Sequence, residues 1–169
     1  MVKYLLFVSL CFVFSSGIFA QSTNGDDQPV YLRYPTIPQF TIYQAPDSTA
    51  FTRDDLKKKT PVIFFVFSPE CSHCKHETEM MLANIDKLKH TQIIMVTYLP
   101  YSEMMDFYKH YQISKYPQIT MGRDAKFFFP VFFKIKNFPS FYIYDKKGNF
   151  KQFLEGDVKI ETLVNALKN

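Results

Sequence analysis

The sequence predicts an α/β fold in which a central mixed sheet carries helices on both faces. An apolar run at residues 61–67 is rich in β-branched and aromatic side chains, as expected of a strand that is covered on both faces, and residues 92–97 predict a second buried strand. Segments with helical spacing follow each predicted strand, and the chain ends in a hairpin and a further helix. This alternation favours parallel central strands with an antiparallel edge.

The N-terminal elements come first. Phe40 and Ile42 alternate with polar residues as in a short strand, and Thr52 and Asp55 have the capping-box spacing that predicts a short helix through Lys59. The run at 61–67 then leads into a helix predicted from about Cys71 to Lys89. Its inward face is expected to contain Thr78, Met81, Ile85 and Leu88.

The second half follows the same logic. A buried strand over Gln92 to Thr97 precedes an amphipathic helix between Ser102 and Gln112, whose apolar residues are Met104, Phe107, Tyr108 and Tyr111. A phenylalanine-rich helical element from Asp124 to about Phe133 is interpreted as core rather than docking surface. Strands at residues 140–144 and 150–154 flank a five-residue turn. The last helix would turn inward Ile160, Leu163, Val164 and Leu167.

The first twenty residues have the three-part pattern of a secretory signal peptide. Lys3 precedes an apolar run from Tyr4 to Phe14, and small residues lead to Ala20. We therefore expect export to the periplasm or cell envelope and a mature chain that begins at Gln21. Retention of the segment as a membrane anchor is the alternative, although the run is short for a span.

The remaining chain is long enough for one domain with its own core. Residues 21–38 are polar and contain three prolines, which predicts an extended leader without a core of its own. The domain is expected over residues 39–169, as a monomer. The formal net charge is +4 and the lysines are scattered among acidic residues, so nucleic acid is not an expected partner.

Two cysteines, Cys71 and Cys74, follow directly on the first apolar run. A strand that leads into Cys-x-x-Cys at the start of a helix is typical of a dithiol redox site. One helical turn brings both sulfurs to the same side, and the helix N-terminus stabilises a thiolate on the first cysteine. Cys71 is therefore the candidate nucleophile and Cys74 the resolving cysteine. A disulfide across so short a loop stabilises little, which favours a chemical role over a structural one.

Residues 39–167 resemble the exported thioredoxin-like thiol-disulfide oxidoreductases of the TlpA and ResA type. The resemblance depends on the strand and helix before the core, on the pair Cys71 and Cys74 with its continuation to Glu77, and on a proline, Pro139, before a strand. It implies a thioredoxin fold with an extra N-terminal strand and helix. It also implies that Pro139 is cis and faces the cysteines, beside a groove where an extended client can pair with the backbone.

The chain departs from thioredoxin at two positions. Glu70 stands directly before the first cysteine, where thioredoxin has Trp, and Phe65 stands where thioredoxin has a buried acid. Proton transfer to or from Cys74 must then use another group. Glu77 matches the acidic position of the ResA-like pattern and is the expected one.

His73 lies between the cysteines, where a charged imidazole would stabilise the Cys71 thiolate; the alternative is an ordinary exposed helix residue.

The two cysteines with His73 and His76 also offer four side chains that zinc or copper could bind, but they share two helical turns and lack a distant second pair. Envelope metal binding or delivery therefore stays an alternative function. A peroxiredoxin is disfavoured, because its reactive cysteine usually lies in a Pro-x-x-x-Thr/Ser-x-x-Cys pattern, whereas Pro69 lies only two residues before Cys71. A binding module that keeps the disulfide as a clip is a further alternative.

The sequence therefore predicts an extracytoplasmic enzyme that exchanges disulfides with protein clients through a mixed-disulfide intermediate, without a cofactor or resident metal. Its partners would be proteins in the disulfide or dithiol form. An upstream electron donor in the membrane is a candidate partner. Either direction of electron flow is compatible with the motif, and the resemblance favours reduction of clients.

Overall fold

The structure is a computed structural model that describes residues 28–168. Its strands are β1 (Thr41–Gln44), β2 (Ala50–Thr52), β3 (Val62–Val66), β4 (Gln92–Thr97), β5 (Ile119–Arg123), β6 (Ser140–Tyr144) and β7 (Phe150–Glu155). Its α-helices are α1 (Val30–Arg33), α2 (Ser72–Ala83), α3 (Tyr101–His110), α4 (Phe128–Phe133) and α5 (Ile160–Leu167). The predicted signal peptide at residues 1–20 lies outside the described part of the chain.

All seven strands join one mixed sheet in the order β2-β1-β5-β4-β3-β6-β7. The three central strands β5, β4 and β3 are parallel, while β1 and β6 flank them antiparallel. Every residue of β3 and β4 is buried, which explains why β3 is a continuous apolar run and why β4 is apolar between Gln92 and Thr97. The α/β class with a central mixed sheet is confirmed.

Alternation along β3 divides the interior into two cores, because successive side chains of a strand point to opposite faces. Ile63 and Phe65 pack with side chains of α2, α3 and α5. Phe64 and Val66 pack on the other face with side chains of α1 and α4. Helices therefore cover both faces of the sheet, as predicted.

The segment before β1 differs from the expected extended leader. Val30–Arg33 forms one helical turn, and Tyr31 is only 7% exposed. The Tyr31 ring lies 5.2 Å from that of Tyr142 and 5.0 Å from that of Phe150. The prediction of a leader without a core is therefore wrong for Tyr31, which an aromatic cluster distant in sequence holds in place.

The N-terminal part of the sheet is also more extended than predicted. The expected helix from Thr52 to Lys59 is a single 3₁₀ turn over Arg53–Asp55, and the residues before it pair with β1 as strand β2. The capping-box prediction is correct in one respect, since the Thr52 amide donates to Asp55 Oδ2 at 2.8 Å. The 3₁₀ turn ends at Leu56, where the backbone is extended.

Strand β5 was not predicted, because Ile119–Arg123 contains Thr, Gly and Arg and has no apolar run. Gly122 is required there, since a Cβ atom would lie 2.8 Å from Ile42 Cδ1 on the neighbouring strand β1.

The phenylalanine-rich helix begins at Phe128 rather than Asp124. Asp124 is instead buried and accepts a hydrogen bond from the Phe129 amide at 2.7 Å.

Helix α2 is shorter than predicted. It ends at Ala83, and a 3₁₀ turn over Ile85–Leu88 follows it. Met81 and Leu88 are fully buried, as expected. None of the helices within residues 28–168 has the length and hydropathy needed to cross a membrane.

Candidate active site

Cys71 is the N-cap residue of α2, in the loop that leaves the buried end of β3. Its backbone is extended, and its sulfur accepts a hydrogen bond from the Cys74 amide at 3.4 Å. The sulfur therefore occupies the place of the oxygen that usually caps a helix, where the partial positive charge of the N-terminus favours an anion. The side chain is half-buried, and both cysteines are free thiols.

Cys74 lies in the first turn of the same helix and is fully buried. Burial raises the pKa of the Cys74 thiol, and the neighbouring Cys71 sulfur raises it further. The two thiols therefore differ in kind. The first is accessible and sits at the helix N-terminus, whereas the second is enclosed and held in its protonated form.

Pro139 lies beside the pair, where the resemblance places it. The Phe138–Pro139 peptide bond is cis, and the Cys71 sulfur lies 3.8 Å from the Phe138 carbonyl oxygen. Pro139 is buried, and its own carbonyl accepts a hydrogen bond from the Gly156 amide at 2.9 Å. The sulfur and the carbonyl before the proline thus share one surface of the protein.

Glu77 follows Cys74 by one helical turn and is 1% exposed. Its Oε1 accepts a hydrogen bond from the Val158 amide at 2.9 Å, whereas Oε2 has no partner within the described part of the chain. Burial raises the pKa of this carboxyl, and the Val158 hydrogen bond only partly offsets the effect. The carboxyl therefore keeps its proton to a higher pH than an exposed glutamate does, which makes its carboxylate a stronger base.

His73 is exposed, and its ring is turned towards the loop before α5. Its Nδ1 lies 2.9 Å from Oδ1 of Asp157, which is exposed as well. His73 thus belongs to the cysteine motif in sequence, but its imidazole contacts a carboxylate from a distant part of the chain.

Three consecutive residues that the sequence analysis did not single out contact three of the predicted site residues. Gly156, Asp157 and Val158 link β7 to α5 and bind Pro139, His73 and Glu77 in turn. We call Gly156–Val158 the clamp turn. The step from strand to helix through Gly and Asp indicates a turn at this place, but nothing in these residue types points to the cysteines.

The two departures from thioredoxin are explained by their surroundings. Phe65 is fully buried and stacks on Phe141 with ring centroids 4.7 Å apart, so an apolar core replaces the buried acid. Glu70 is exposed. Glu77 is therefore the buried carboxyl that α2 itself supplies one turn from Cys74.

The residues suggested for metal binding do not form a metal site in the described chain. Within residues 28–168, no group of three or more His, Cys, Asp or Glu side chains is arranged to hold an ion. The Cys74 sulfur is buried, whereas His73 and His76 are exposed, because the residues alternate around α2. The side chains that share the motif in sequence thus do not converge.

Neither a scan against models of protein families nor a search of curated proteins finds a match. Solved structures do match. MTB dsbF is 19% identical, with 78% of this chain and 96% of that chain covered and a TM-score of 0.65. A secreted Mycobacterium tuberculosis disulfide oxidoreductase homologous to E. coli DsbE is 17% identical, with 76% and 93% covered and a TM-score of 0.64. StoA from Bacillus subtilis is 17% identical, with 78% and 98% covered and a TM-score of 0.60. The chain thus has the thioredoxin-like fold that these structures share, as the sequence predicted.

Proposed function

We propose that this protein is an extracytoplasmic thiol-disulfide oxidoreductase that exchanges disulfides with protein clients. The observation that carries the proposal is the asymmetry of the cysteine pair. The Cys71 sulfur caps α2 and is accessible, whereas Cys74, one turn later, is buried and has a raised pKa. A two-step exchange requires one thiol that attacks the client disulfide and a second thiol that reacts only after the mixed disulfide has formed. The disulfide oxidoreductases among the structural neighbours support the same reaction class.

In the first step, the Cys71 thiolate attacks one sulfur of a client disulfide. The client S–S bond breaks, a mixed disulfide forms, and one client thiolate leaves. In the second step, Cys74 loses its proton and attacks the Cys71 sulfur. The Cys71–Cys74 disulfide forms, and the second client thiolate leaves. Two electrons thus pass from the protein to the client. The two client thiolates take up one proton from Cys74 and one from solvent, equivalent to the proton that Cys71 lost on ionising, and the client departs as a dithiol.

Glu77 is the group proposed to move the Cys74 proton. A buried thiol with a raised pKa does not ionise readily, so the second step needs a base close to the sulfur. A carboxylate with an ordinary pKa would be a weak base, but burial raises the pKa of Glu77. Glu77 also lines a cleft of about 350 Å³ with His76, Met80 and residues of the clamp turn, which gives the proton a route to solvent.

Pro139 and the residue before it are proposed to shape the client groove. The Phe138 carbonyl faces the Cys71 sulfur, so a client backbone held there would place its own disulfide within reach. Proline has no amide hydrogen, and its carbonyl is already bound by Gly156. The groove therefore offers the Phe138 carbonyl, rather than groups of Pro139, for pairing with an extended chain.

Export is proposed from the signal-like N-terminus and from the secreted disulfide oxidoreductase among the neighbours. In an oxidising compartment the pair must be reduced again after each turnover if it serves as a reductant. A membrane electron donor would then be the upstream partner, and the protein would act as a monomer.

Trapping tests the proposed roles. In the reduced mature protein, iodoacetamide should modify Cys71 rapidly and Cys74 slowly. The Cys74→Ser variant should accumulate a mixed disulfide with disulfide-bonded insulin, because the second step is blocked. Cys71→Ser is the matched control and should trap nothing. Faster modification of Cys74, or trapping by Cys71→Ser alone, would contradict the assignment.

A further inference from the structure

The clamp turn holds three site residues through three different kinds of contact. The Gly156 amide donates to the Pro139 carbonyl and the Val158 amide donates to Glu77, each at 2.9 Å. In both contacts the turn contributes only a backbone amide, so neither contact depends on the side chain at position 157. The third contact, from Asp157 to His73, is made by a side chain and is therefore the adjustable one.

We propose that Asp157 is a positioning residue that makes the cysteine pair more reducing, by holding the His73 imidazole against the clamp turn and placing a carboxylate beside it. The inference rests on the dithiol chemistry proposed above, but it needs no protein client. It concerns the equilibrium of the pair itself, in which the disulfide and two glutathione molecules give the dithiol and one glutathione disulfide.

The physical reason is the position of His73 in the first turn of α2, two residues after the cysteine whose sulfur caps the helix. An imidazolium free to turn towards Cys71 would add its charge to that of the helix N-terminus and stabilise the thiolate. A stabilised thiolate favours the reduced form, so the pair would become a stronger oxidant. With Nδ1 held 2.9 Å from the Asp157 carboxylate, the ring and its charge are directed elsewhere.

The sign of the effect does not depend on the protonation of His73. If the ring is charged in the native protein, removal of the carboxylate leaves a cation near Cys71. If the ring is neutral, removal of the carboxylate takes away a negative charge. In both cases the surroundings of the thiolate become more positive. The other charged side chains that flank these contacts in sequence are exposed, namely Glu70, Lys75, His76, Glu155 and Lys159. Glu77 is the buried exception: burial raises its pKa most, the charge of Asp157 raises it further, and a charge on His73 lowers it.

The test is Asp157→Asn in the full mature protein, equilibrated with glutathione buffers. Because both partners are exposed and screened by water, we expect a shift of about threefold towards the dithiol. The rate at which iodoacetamide modifies Cys71 in mildly acidic buffer should rise by a similar factor. Asp157→Glu should restore most of the native equilibrium. Glu161→Gln removes another exposed carboxylate, which bonds Lys87 at 3.4 Å, and is the control for a general charge effect.

A double-mutant cycle with His73→Ala separates positioning from charge. The effect of Asp157→Asn should shrink when the imidazole is absent, because Asp157 then has nothing to hold. An unchanged equilibrium, an equal shift without the imidazole, or an equal shift in Glu161→Gln would each overturn the inference. Insulin reduction by the wild type is measured in parallel. If the wild type reduces no protein disulfide, the proposed function is refuted. A shift of the glutathione equilibrium in Asp157→Asn, as described, would still support this inference.

Discussion

The buried carboxyl of Glu77 gives the sharpest test of the site, through the substitution Glu77→Gln. The change preserves the size of the side chain and lets the new amide oxygen keep the hydrogen bond from the Val158 amide, at 2.9 Å in the native protein. It removes the charge from a carboxyl that is 1% exposed and whose second oxygen has no partner in the described chain. The cost of ionising a buried group is thereby removed, while the buried amide keeps a smaller cost of its own.

The pH dependence follows from the direction of the pKa shift. Burial raises the pKa of Glu77 above its value of 4.5 in the unfolded chain, so the folded state keeps a proton that the unfolded state has already lost. Wild-type stability should therefore fall, relative to the variant, as the pH rises from the unfolded pKa through the folded one. The difference is absent below the unfolded pKa and complete above the folded pKa.

The magnitude follows from the unpaired oxygen. A buried polar group without a partner costs about 1–3 kcal/mol, and more when charged, whereas the neutral amide of Gln carries only the smaller part. We expect the variant to gain roughly 1–2 kcal/mol over the wild type between mildly acidic and mildly alkaline buffer. Urea unfolding followed by far-UV circular dichroism, with excess reductant at each pH, measures this difference.

Glu79→Gln is the matched control, because Glu79 lies two residues further along α2 and is exposed. It should show no such dependence on pH. Release of the mixed disulfide by Cys74 should also slow about a hundredfold in Glu77→Gln, since general base catalysis is lost. A stability difference that is constant with pH would refute the burial argument, and release at the native rate would refute the role as a base.

Three further outcomes are expected. Phe65→Ala should lower the free energy of unfolding by about 3–5 kcal/mol in urea titration, because the ring is fully buried; a loss below about 1 kcal/mol would contradict its place in the core. Gly122→Ala should cost about 1–3 kcal/mol by the same assay, since its Cβ would lie 2.8 Å from Ile42 Cδ1, and Ile42→Ala should relieve part of this cost. Mass spectrometry of the exported protein should give a chain that begins at Gln21, whereas full-length protein in the cytosol would contradict export.

Elements whose signals are local can be predicted from the sequence. Strands β3 and β4 are recognisable because burial on both faces favours runs of apolar residues. The predicted inward positions Met104 and Phe107 of α3 are buried, because helical periodicity acts over a few residues. The cysteine motif is local for the same reason, since one helical turn is enough to bring Cys71 and Cys74 together.

Tertiary structure alone decided the rest. Strand β5 has no apolar run of its own and becomes a strand by pairing with β4 and β1. Tyr31 becomes core only because rings from β6 and β7 surround it. The clamp turn contacts Glu77 and His73 across 81 and 84 residues of chain. Spacing and propensity act over a helical turn or a strand, whereas these contacts exist only once the sheet has brought β7 beside the cysteine helix.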